Sequence, residues 1–269
     1  MELSIVVNHY RSPAALKTSL GELQKNVSLS HETIVVDSAA QKDTGRMLKD
    51  LFPNVRYIPF QENVGFAKSV NAGVKESSAP YVFIVNADLI IGQKCAESLH
   101  ALLEREKDIA LASPRLRNFD ETLQPSAFRY YTPLRILARR TVLGKTPLGK
   151  KILSRFVVQE ALREDLAGPL PVDWVMGSAL FVRKAAIEKV GMLDERYFMY
   201  FEDVDWCRRF WEAGYKVMYV PYARAWHLHK RASKGGMFDV VLNRYTRIHL
   251  LSAAKYFLKF GVSAPKHGV

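Results

Sequence analysis

The segment that decides the fold is residues 3–27, which reads LSIVVNHYRSPAALKTSLGELQKNV. It begins with a run of mostly apolar and β-branched residues, Leu3 to Val7, which predicts a buried strand. Ser12-Pro13 then supplies an N-cap residue followed by proline at the first helical position. Apolar residues recur after it at helical spacing and predict one buried helix face: Leu16, Leu20, Leu23 and Val27. A strand and a helix joined by a short turn are the repeating unit of α/β proteins.

The same alternation continues to about residue 115 and predicts an α/β fold with a mostly parallel sheet. Further strands are predicted at residues 33–36, 55–58, 81–85 and 109–112, and helices at 43–52, 65–77 and 93–107. The second half is less regular. Its pattern predicts an interrupted strand at 172–182, helices at 184–190, 202–213 and 238–260, and a strand at 216–220 that ends at Pro221. No repeat or low-complexity linker separates the halves, so we expect one domain.

Length and composition limit the classes of protein that are possible. The chain has 269 residues, of which 48% are hydrophobic, enough for a large buried core. No apolar run approaches the ~20 residues that span a membrane, and the start lacks the basic region of a signal peptide. Only Cys95 and Cys207 occur, without CxxC spacing, so neither a disulfide framework nor a cysteine zinc site is expected. The cytosol is therefore the expected compartment.

The formal net charge is +12, and the basic residues are unevenly placed. From Thr122 to Gln159 there is no acid, and basic residues alternate with apolar ones: Arg129, Arg135, Arg139, Arg140, Lys145, Lys150, Lys151 and Arg155. This basic window suits an anionic membrane surface or a phosphorylated ligand. Nucleic acid is a competing interpretation, and an ordinary solvated face is a third. In the last predicted helix, four basic residues share one face: Arg244, Arg247, Lys255 and Lys259.

Residues 197–209, YFMYFEDVDWCRR, place three carboxylates within four positions among aromatic residues. Exclusion of water and mutual repulsion both raise the pKa of a carboxylate towards the range of a general base. Glu202, Asp203 and Asp205 are therefore candidates for acid–base chemistry. The structural alternative is the first turn of a helix, where acids interact favourably with the helix dipole and Asp205 pairs with Arg208 or Arg209.

Polar residues follow three of the predicted strands: Asn8, Asp37 and the turn Asn86-Ala87-Asp88. Ligands of open α/β sheets bind beyond the carboxyl ends of the strands. A carboxylate there can hold a divalent ion against a pyrophosphate, because hard cations prefer oxygen ligands. His227 is the candidate second ligand, and His229 is the second choice. The structural alternatives are turn residues, helix caps and a packed histidine.

Phosphate-binding turns are the last feature to consider. The first strand–helix turn contains no glycine and the chain has no Walker sequence, so neither a GxGxxG dinucleotide site nor a P-loop is expected. In Asn63-Val64-Gly65-Phe66 a single glycine opens a helix, whose free N–H groups can bind phosphate. An ordinary turn glycine is the alternative.

Taken in order along the chain, these motifs resemble glycosyltransferase family 2, especially its rhamnosyltransferase-like members, from Leu3 to about His229. The matching segments are Ser4–Tyr10, Val35–Ser38, Asn63–Phe66 with Asn71, Asn86–Asp88, Gly177–Lys184, Leu193–Asp205 and His227. Three positions depart from the family pattern. His9 replaces the usual tyrosine or asparagine, Ala87 replaces proline, and Asn86 replaces the first aspartate of a DxD metal motif. No family motif covers the basic window.

The resemblance implies a GT-A fold, which is a Rossmann-like, mostly parallel central sheet flanked by helices, here with a basic helical insertion and a C-terminal helix. It implies a nucleotide-sugar-binding half at residues 1–115, an acceptor-binding and catalytic half of the same domain at 116–230, and a basic amphipathic helical tail at 231–269. The implied donor-binding residues are Asn8, Asp37, Asn63, Gly65, Asn71, Asn86 and Asp88, with Asp37 on the nucleotide base.

By the same resemblance, Asp203 is the general base for the acceptor hydroxyl, and Glu202 tunes Asp203 or contacts the acceptor. Asp88 and His227 hold a divalent cation, Mg²⁺ or Mn²⁺, that carries the leaving diphosphate. Asp205 is expected to pair with Arg209 and to stay structural. The implied reaction is a single displacement that inverts the sugar, with a base removing a proton while the cation offsets the charge on the leaving group.

The implied donor is a nucleotide-diphosphate sugar, with dTDP or UDP as the carrier and L-rhamnose as a candidate sugar. The implied acceptor is a hydroxyl of a glycan or of a polyprenyl-diphosphate-linked molecule in cell-surface polysaccharide biosynthesis. The enzyme would then be peripheral at the anionic inner face of the cytoplasmic membrane, with no nucleic-acid partner. Two other classes compete, a nucleic-acid-binding module and a catalytically silent membrane scaffold. Turnover of a sugar nucleotide separates both from the enzyme.

Overall fold

The computed structural model describes residues 1–227 and 243–265. In the first half, strands and helices alternate as the sequence predicts. The elements are β1 (Leu3–His9), α1 (Pro13–Asn26), β2 (His31–Asp37), α2 (Lys42–Leu51), β3 (Arg56–Pro59), α3 (Phe66–Glu76), β4 (Tyr81–Asn86), β5 (Leu89–Ile91), α4 (Cys95–Arg105) and β6 (Ile109–Arg117). Ser12 occupies the N-cap position of α1, although its side chain makes no capping hydrogen bond.

The second half contains shorter elements. They are β7 (Ala127–Phe128), α5 (Pro133–Arg140), α6 (Pro147–Ser154), β8 (Leu170–Pro171), β9 (Trp174–Val175), β10 (Ala179–Arg183), α7 (Lys184–Val190), α8 (Glu202–Glu212), β11 (Lys216–His227) and α9 (Arg244–Phe260). The basic window forms short helices, as predicted. The predicted last helix begins at Arg244 in the structure, and positions 238–242 of that prediction lie outside the described residues.

Strands from both halves of the chain join one central sheet, in the order β3-β2-β1-β4-β10-β6-β11-β5, with β8 beside β11. Strands β3, β2, β1 and β4 pair in parallel, and so do β6 and β11. Strand β10 lies antiparallel between β4 and β6. The predicted α/β fold with a central sheet flanked by helices is confirmed. The sheet is mixed, and its parallel part is concentrated in the first half.

Apolar side chains cover both faces of this sheet. Ile5 and Val7 of β1 belong to the core formed with α1 and α4, whereas Val6 belongs to the core formed with α3 and α8. Successive residues of a strand point to opposite faces, so burial on both faces explains why the strands read as continuous apolar runs. In the ranges that the structure describes, no helix is long and apolar enough to cross a membrane.

The predicted end of the strand at Pro221 is wrong. Strand β11 continues through the proline to His227, and its pairing with β6 shifts register between Val220 and Arg224. A proline without an N–H group is tolerated at such an irregularity, because no ladder hydrogen bond is required there. The longer strand pairs antiparallel with β5, which the sequence analysis did not predict, and sets His227 opposite Leu89. His227 is therefore next to the turn that follows β4.

Candidate active site

A cavity of about 450 Å³ opens at the carboxyl edge of the sheet, beyond the ends of β1, β4 and β11. The sheet edge and the first turn of α8 contribute predicted site residues to its wall: Asn8, Asn86, Asp88, His227, Glu202 and Asp203. These residues come from four separate parts of the chain. The cavity lies where ligands of open α/β sheets bind.

Asp88 and His227 form a pair suited to a cation. His227 Nε2 lies 3.4 Å from Asp88 Oδ1, and His227 Nδ1 lies 3.0 Å from Oε1 of Gln124. With a metal on Nε2, the proton sits on Nδ1 and is donated to Gln124, which orients the ring. One ion bound at about 2.1 Å from each ligand atom spans such a gap. Further ligands must come from a substrate or water, since the described ranges contain no cluster of three His, Cys, Asp or Glu side chains.

Two asparagines lie side by side at this edge. Asn8 and Asn86 are register partners at the ends of β1 and β4. Asn8 Oδ1 accepts a 2.6 Å hydrogen bond from the Ser69 hydroxyl, which fixes the orientation of its amide. Asn86 Oδ1 is buried and has no hydrogen-bond partner within the described part of the chain. Because an unsatisfied buried acceptor is costly, Asn86 is available to a ligand next to Asp88.

The backbone holds Asp203 at the cavity wall. Its Oδ2 accepts a 2.9 Å hydrogen bond from the Gly177 N–H, and its Oδ1 accepts one of 2.9 Å from the Val204 N–H. Ser178, the residue after Gly177, accepts a hydrogen bond from the Asn86 N–H through its carbonyl. A short stretch of backbone therefore ties the carboxylate of α8 to the Asn86–Asp88 turn. Burial raises the pKa of Asp203 to about 6, although both backbone hydrogen bonds oppose the increase.

Glu202 lies beside Asp203 and is more deeply buried, with 5% of its surface exposed. Its Oε2 has no hydrogen-bond partner among the residues that the structure describes. Burial, followed by the charge of Asp203, raises the pKa of Glu202 well above its usual range. Asp203 is thus the better candidate for a carboxylate that is ionised near neutral pH.

The raised pKa of Asp203 predicts an acidic limit to activity. A base must be deprotonated, so kcat/KM should fall tenfold per pH unit below about 6, whereas an ordinary aspartate with a pKa of ~3.9 would give a flat profile there. The measurement is the pH dependence of kcat/KM between pH 4.5 and 8, with thermal melts at each pH to verify folding. A profile that stays flat down to pH 5 would contradict this assignment.

Asp205 has the structural role that the sequence predicts. Its carboxylate is fully buried and receives hydrogen bonds from the Arg209 Nε at 2.6 Å, the Lys259 Nζ at 2.6 Å and the Tyr197 hydroxyl at 3.2 Å. Arg208, the alternative partner, pairs with Glu212. Asp205 therefore joins α8 to the end of α9 and does not face the cavity.

Asp37, the predicted contact of the nucleotide base, does not line the cavity. It lies at the end of β2, fully buried, and its oxygens accept hydrogen bonds from the Ala39 N–H and the Tyr57 hydroxyl. His9 Nδ1 is 3.2 Å away, and His9 Nε2 accepts a hydrogen bond from the Ser12 N–H. Burial raises the pKa of Asp37, but its hydrogen bonds outweigh that effect and lower it overall.

Two other predicted donor residues, Asn71 and Gly65, contact the loop that precedes α8. Asn71 is buried, and its amide exchanges hydrogen bonds with the backbone of Leu193. Asn63 accepts from the Gly65 N–H, and Gly65 has φ of +83°. A Cβ atom at Gly65 would lie 2.4 Å from the carbonyl oxygen of Phe198, so this backbone approach requires glycine. In the structure, Asn71 and Gly65 position the loop that precedes α8.

The basic surface differs from the one predicted. Arg139 lies in the cavity wall and Arg140 is buried, with 6% of its surface exposed. Lys259 pairs with Asp205, which neutralises its charge, whereas Lys255 is exposed and donates to a backbone carbonyl. The exposed basic residues of the window lie in and around α6: Lys145, Lys150, Lys151 and Arg155. His229 lies outside the described residues.

Several residues that line the cavity were not predicted from the sequence. Tyr131 stacks on Trp174 with ring centroids 5.6 Å apart and contacts Phe201 at 4.6 Å. His249 of α9 also lines the cavity, where burial and the charges of Arg140 and Arg139 lower its pKa to about 3. Aromatic residues within the basic window were the available signal for this wall, whereas His249 gave none, because a single histidine on a helix is usually a packed residue.

Sequence comparisons to known proteins define the class as glycosyltransferase. Residues 4–162, more than half of the chain, match the sequence model of glycosyl transferase family 2, and residues 154–247 match that of glycosyl transferase family group 2. The chain therefore belongs to glycosyl transferase family 2.

Individual relatives support this assignment. The chain is 29% identical over 246 residues to N-acetylglucosaminyl-diphospho-decaprenol L-rhamnosyltransferase of Mycobacterium tuberculosis, covering 87% of this chain and 78% of that protein. Among solved structures, GalNAc-T7 with UDP, GalNAc and Mn²⁺ superposes with a TM-score of 0.66 at 15% identity, over 92% of this chain and 47% of that one. A mannosyltransferase from Pyrobaculum calidifontis with GDP-Man and Mn²⁺ superposes with a TM-score of 0.61 at 15% identity, over 98% of this chain and 66% of that one. These structural likenesses support the fold.

Proposed function

We propose that this enzyme transfers a sugar, with inversion, from a nucleotide-diphosphate donor to a hydroxyl of a lipid-diphosphate-linked glycan. L-rhamnose carried by dTDP is the first donor to test, and UDP-sugars are the second. The mycobacterial relative is named as an L-rhamnosyltransferase that acts on N-acetylglucosaminyl-diphospho-decaprenol, and that name supports this choice of sugar and acceptor. The process served would be the synthesis of cell-surface polysaccharide.

The observation that carries the proposal is the shared cavity of Asp203 and the Asp88–His227 pair. Single displacement requires a base on the acceptor side and positive charge at the leaving group. The carboxylate of Asp203 has a raised pKa, and Asp88 and His227 fit a cation. Both requirements therefore meet in one space.

In the proposed reaction, Asp203 removes the proton from the acceptor hydroxyl. At the same time the hydroxyl oxygen forms a bond to the anomeric carbon of the donor. The bond from that carbon to the diphosphate oxygen breaks, and the nucleoside diphosphate leaves. Asp88 and His227 would hold Mg²⁺ or Mn²⁺, which supplies charge compensation to the diphosphate. Glu202, buried beside Asp203, would contact the acceptor or tune the base.

The division of labour along the chain is part of the proposal. Residues 1–115 would hold the donor, residues 116–230 the acceptor and the base, and residues 231–269 would form the basic tail. Asn8, Asn86 and Asp88 would meet the diphosphate at the sheet edge. Contact between Asp37 and the nucleotide base requires the carboxylate, which is now fully buried, to become accessible.

A donor panel tests the proposal. Nucleoside-diphosphate release would be measured with dTDP-, UDP- and GDP-sugars, each with Mg²⁺, Mn²⁺ or a chelator, with and without an N-acetylglucosaminyl-diphosphate lipid. Acceptor-dependent release from one donor supports the proposal. No acceptor-dependent release from any donor would contradict it.

We further propose that the enzyme binds the anionic inner face of the cytoplasmic membrane through the exposed basic residues of the window. Each cation near such a surface contributes about 1 kcal/mol, screened over ~8 Å at physiological salt. Lys150→Glu with Lys151→Glu should therefore reduce flotation with anionic vesicles. The matched control is Lys17→Glu with Lys49→Glu, which makes the same change in net charge on α1 and α2. Equal losses in both double variants, or equal wild-type binding to neutral vesicles, would contradict the proposal.

A further inference from the structure

A second concave site lies between α5 and α9. It is an apolar groove of about 250 Å³, lined chiefly by Pro133, Ile136, Leu137, Leu250, Ala253 and Phe257. The side chains of Arg140 and Thr246 complete its wall. Neither the predicted donor-binding residues nor the catalytic carboxylates line this groove.

The same two helices also border the active-site cavity. Arg139 of α5 and both Tyr245 and His249 of α9 line the cavity. At 3.6 residues per turn, the groove residues of each helix lie beside its cavity residues, and the exposed Leu134 and Leu251 lie on the far side of the groove. The cavity and the groove therefore lie on adjacent faces of the same two helices.

Exposed apolar side chains are frequent in this part of the chain. Twelve large apolar side chains are exposed among the described residues, and seven of them belong to this region. Five lie in α5, α6 or α9, and two follow α5 or α9 by two residues: Leu134, Leu137, Leu148, Leu251 and Leu258, then Val142 and Val262. The basic window supplies cations to the same region without a compensating acid.

Arg139 lies at the junction of cavity and groove. Its guanidinium donates a 2.7 Å hydrogen bond to the Tyr131 hydroxyl and lies 5.7 Å from the centre of the Phe156 ring. These contacts hold a permanent cation at the cavity wall, one residue before the groove-lining Arg140. Guanidinium groups recognise phosphate oxygens through several N–H donors.

We propose that the groove binds the hydrocarbon chain of a lipid diphosphate acceptor, with Arg139 contacting its diphosphate. The inference rests on the proposed function for the choice of acceptor. Charge complementarity selects this occupant, because an apolar chain attached to an anionic head matches an apolar groove next to a fixed cation. The glycan end of the molecule would then extend into the cavity towards Asp203.

The test is direct binding of farnesyl diphosphate, with inorganic diphosphate as a probe of the head group alone. Both are titrated calorimetrically in a chelator, without donor, so that the Asp88–His227 pair holds no cation. Leu137→Asp places a charge in the groove, and Leu134→Asp places the same charge on the same helix outside it. Leu137→Asp should raise the Kd for farnesyl diphosphate ~10-fold, the equivalent of about two buried methylene groups. Leu134→Asp should leave it unchanged.

The Kd for inorganic diphosphate should be unchanged in both leucine variants, whereas Arg139→Gln should raise the Kd for both probes. Because Leu137 is already 47% exposed, its replacement should leave the fold intact, and Leu137→Ser provides a milder second variant. Equal effects of Leu134→Asp and Leu137→Asp, or wild-type binding of farnesyl diphosphate no tighter than that of diphosphate, would overturn the inference. Binding is measured without turnover, so the donor panel can fail while this result stands, or the reverse.

Discussion

Replacement of Asp203 by asparagine should reduce sugar transfer ~10²–10⁴-fold, the typical loss when a positioned general base is removed. Asparagine keeps the size of the side chain, and its carbonyl oxygen can keep one of the two backbone hydrogen bonds that Asp203 accepts. The amide nitrogen cannot accept the other, so a stability loss of about 1 kcal/mol should accompany the change. The measurement is single-turnover transfer at saturating donor and acceptor.

The matched control is Glu202→Gln, which neutralises the adjacent carboxylate on the same helical turn. Donor affinity and thermal melting, measured for both variants, separate a chemical defect from a folding defect. Near-normal turnover in Asp203→Asn together with loss in Glu202→Gln would move the base to Glu202. Near-normal turnover in both would exclude the carboxylate cluster as the source of the base.

The second large effect concerns the cation. Asp88→Ala and His227→Ala should each raise the concentration of Mg²⁺ or Mn²⁺ needed for half-maximal activity by more than ~100-fold, because each removes one of the two proposed protein ligands. Gln124→Ala should give a smaller increase of ~10–100-fold, since Gln124 orients the histidine through Nδ1 without contacting the ion. The measurement is a metal titration at fixed donor concentration.

This graded order is specific to the proposed arrangement. A general folding defect would lower activity at every metal concentration and would not shift the midpoint of the titration. An unchanged midpoint in both ligand variants would contradict the proposed site. Full wild-type activity in the presence of a chelator would show that the reaction does not require the cation.

The parts of the fold that the sequence predicts are those with a local pattern. The apolar run of β1 and the helical spacing of Leu16, Leu20 and Leu23 each carry their signal within a few residues. Strand β5 was missed because its three residues become a strand only by pairing with Ala225 to His227, far along the chain. Pro221 was misleading, because the register shift between Val220 and Arg224 lets the strand continue through the proline.

The same distinction applies to the site. Asp88, Asp203 and His227 were found because family motifs name them, and the cavity brings them together. Gln124 and His249 were not found, since each acquires its contact only when distant segments meet. Sequence also does not reveal whether a polar residue faces a ligand or a packing partner. Asp37 lies at the end of a strand and Asn71 lies in a helix, as predicted, but both side chains form hydrogen bonds with other residues of the protein.

The ion pair between Asp205 and Lys259 has a consequence for how the enzyme is made. The N-terminal part of the chain emerges from the ribosome first, so the strands of the first half are available for pairing early in synthesis. Arg209, four residues after Asp205, reaches the buried carboxylate at once. Lys259 follows Asp205 by 54 residues, and until it emerges the charge of Asp205 lacks its second cation. The helix that carries the candidate catalytic carboxylates therefore completes its packing only after residue 259 has emerged.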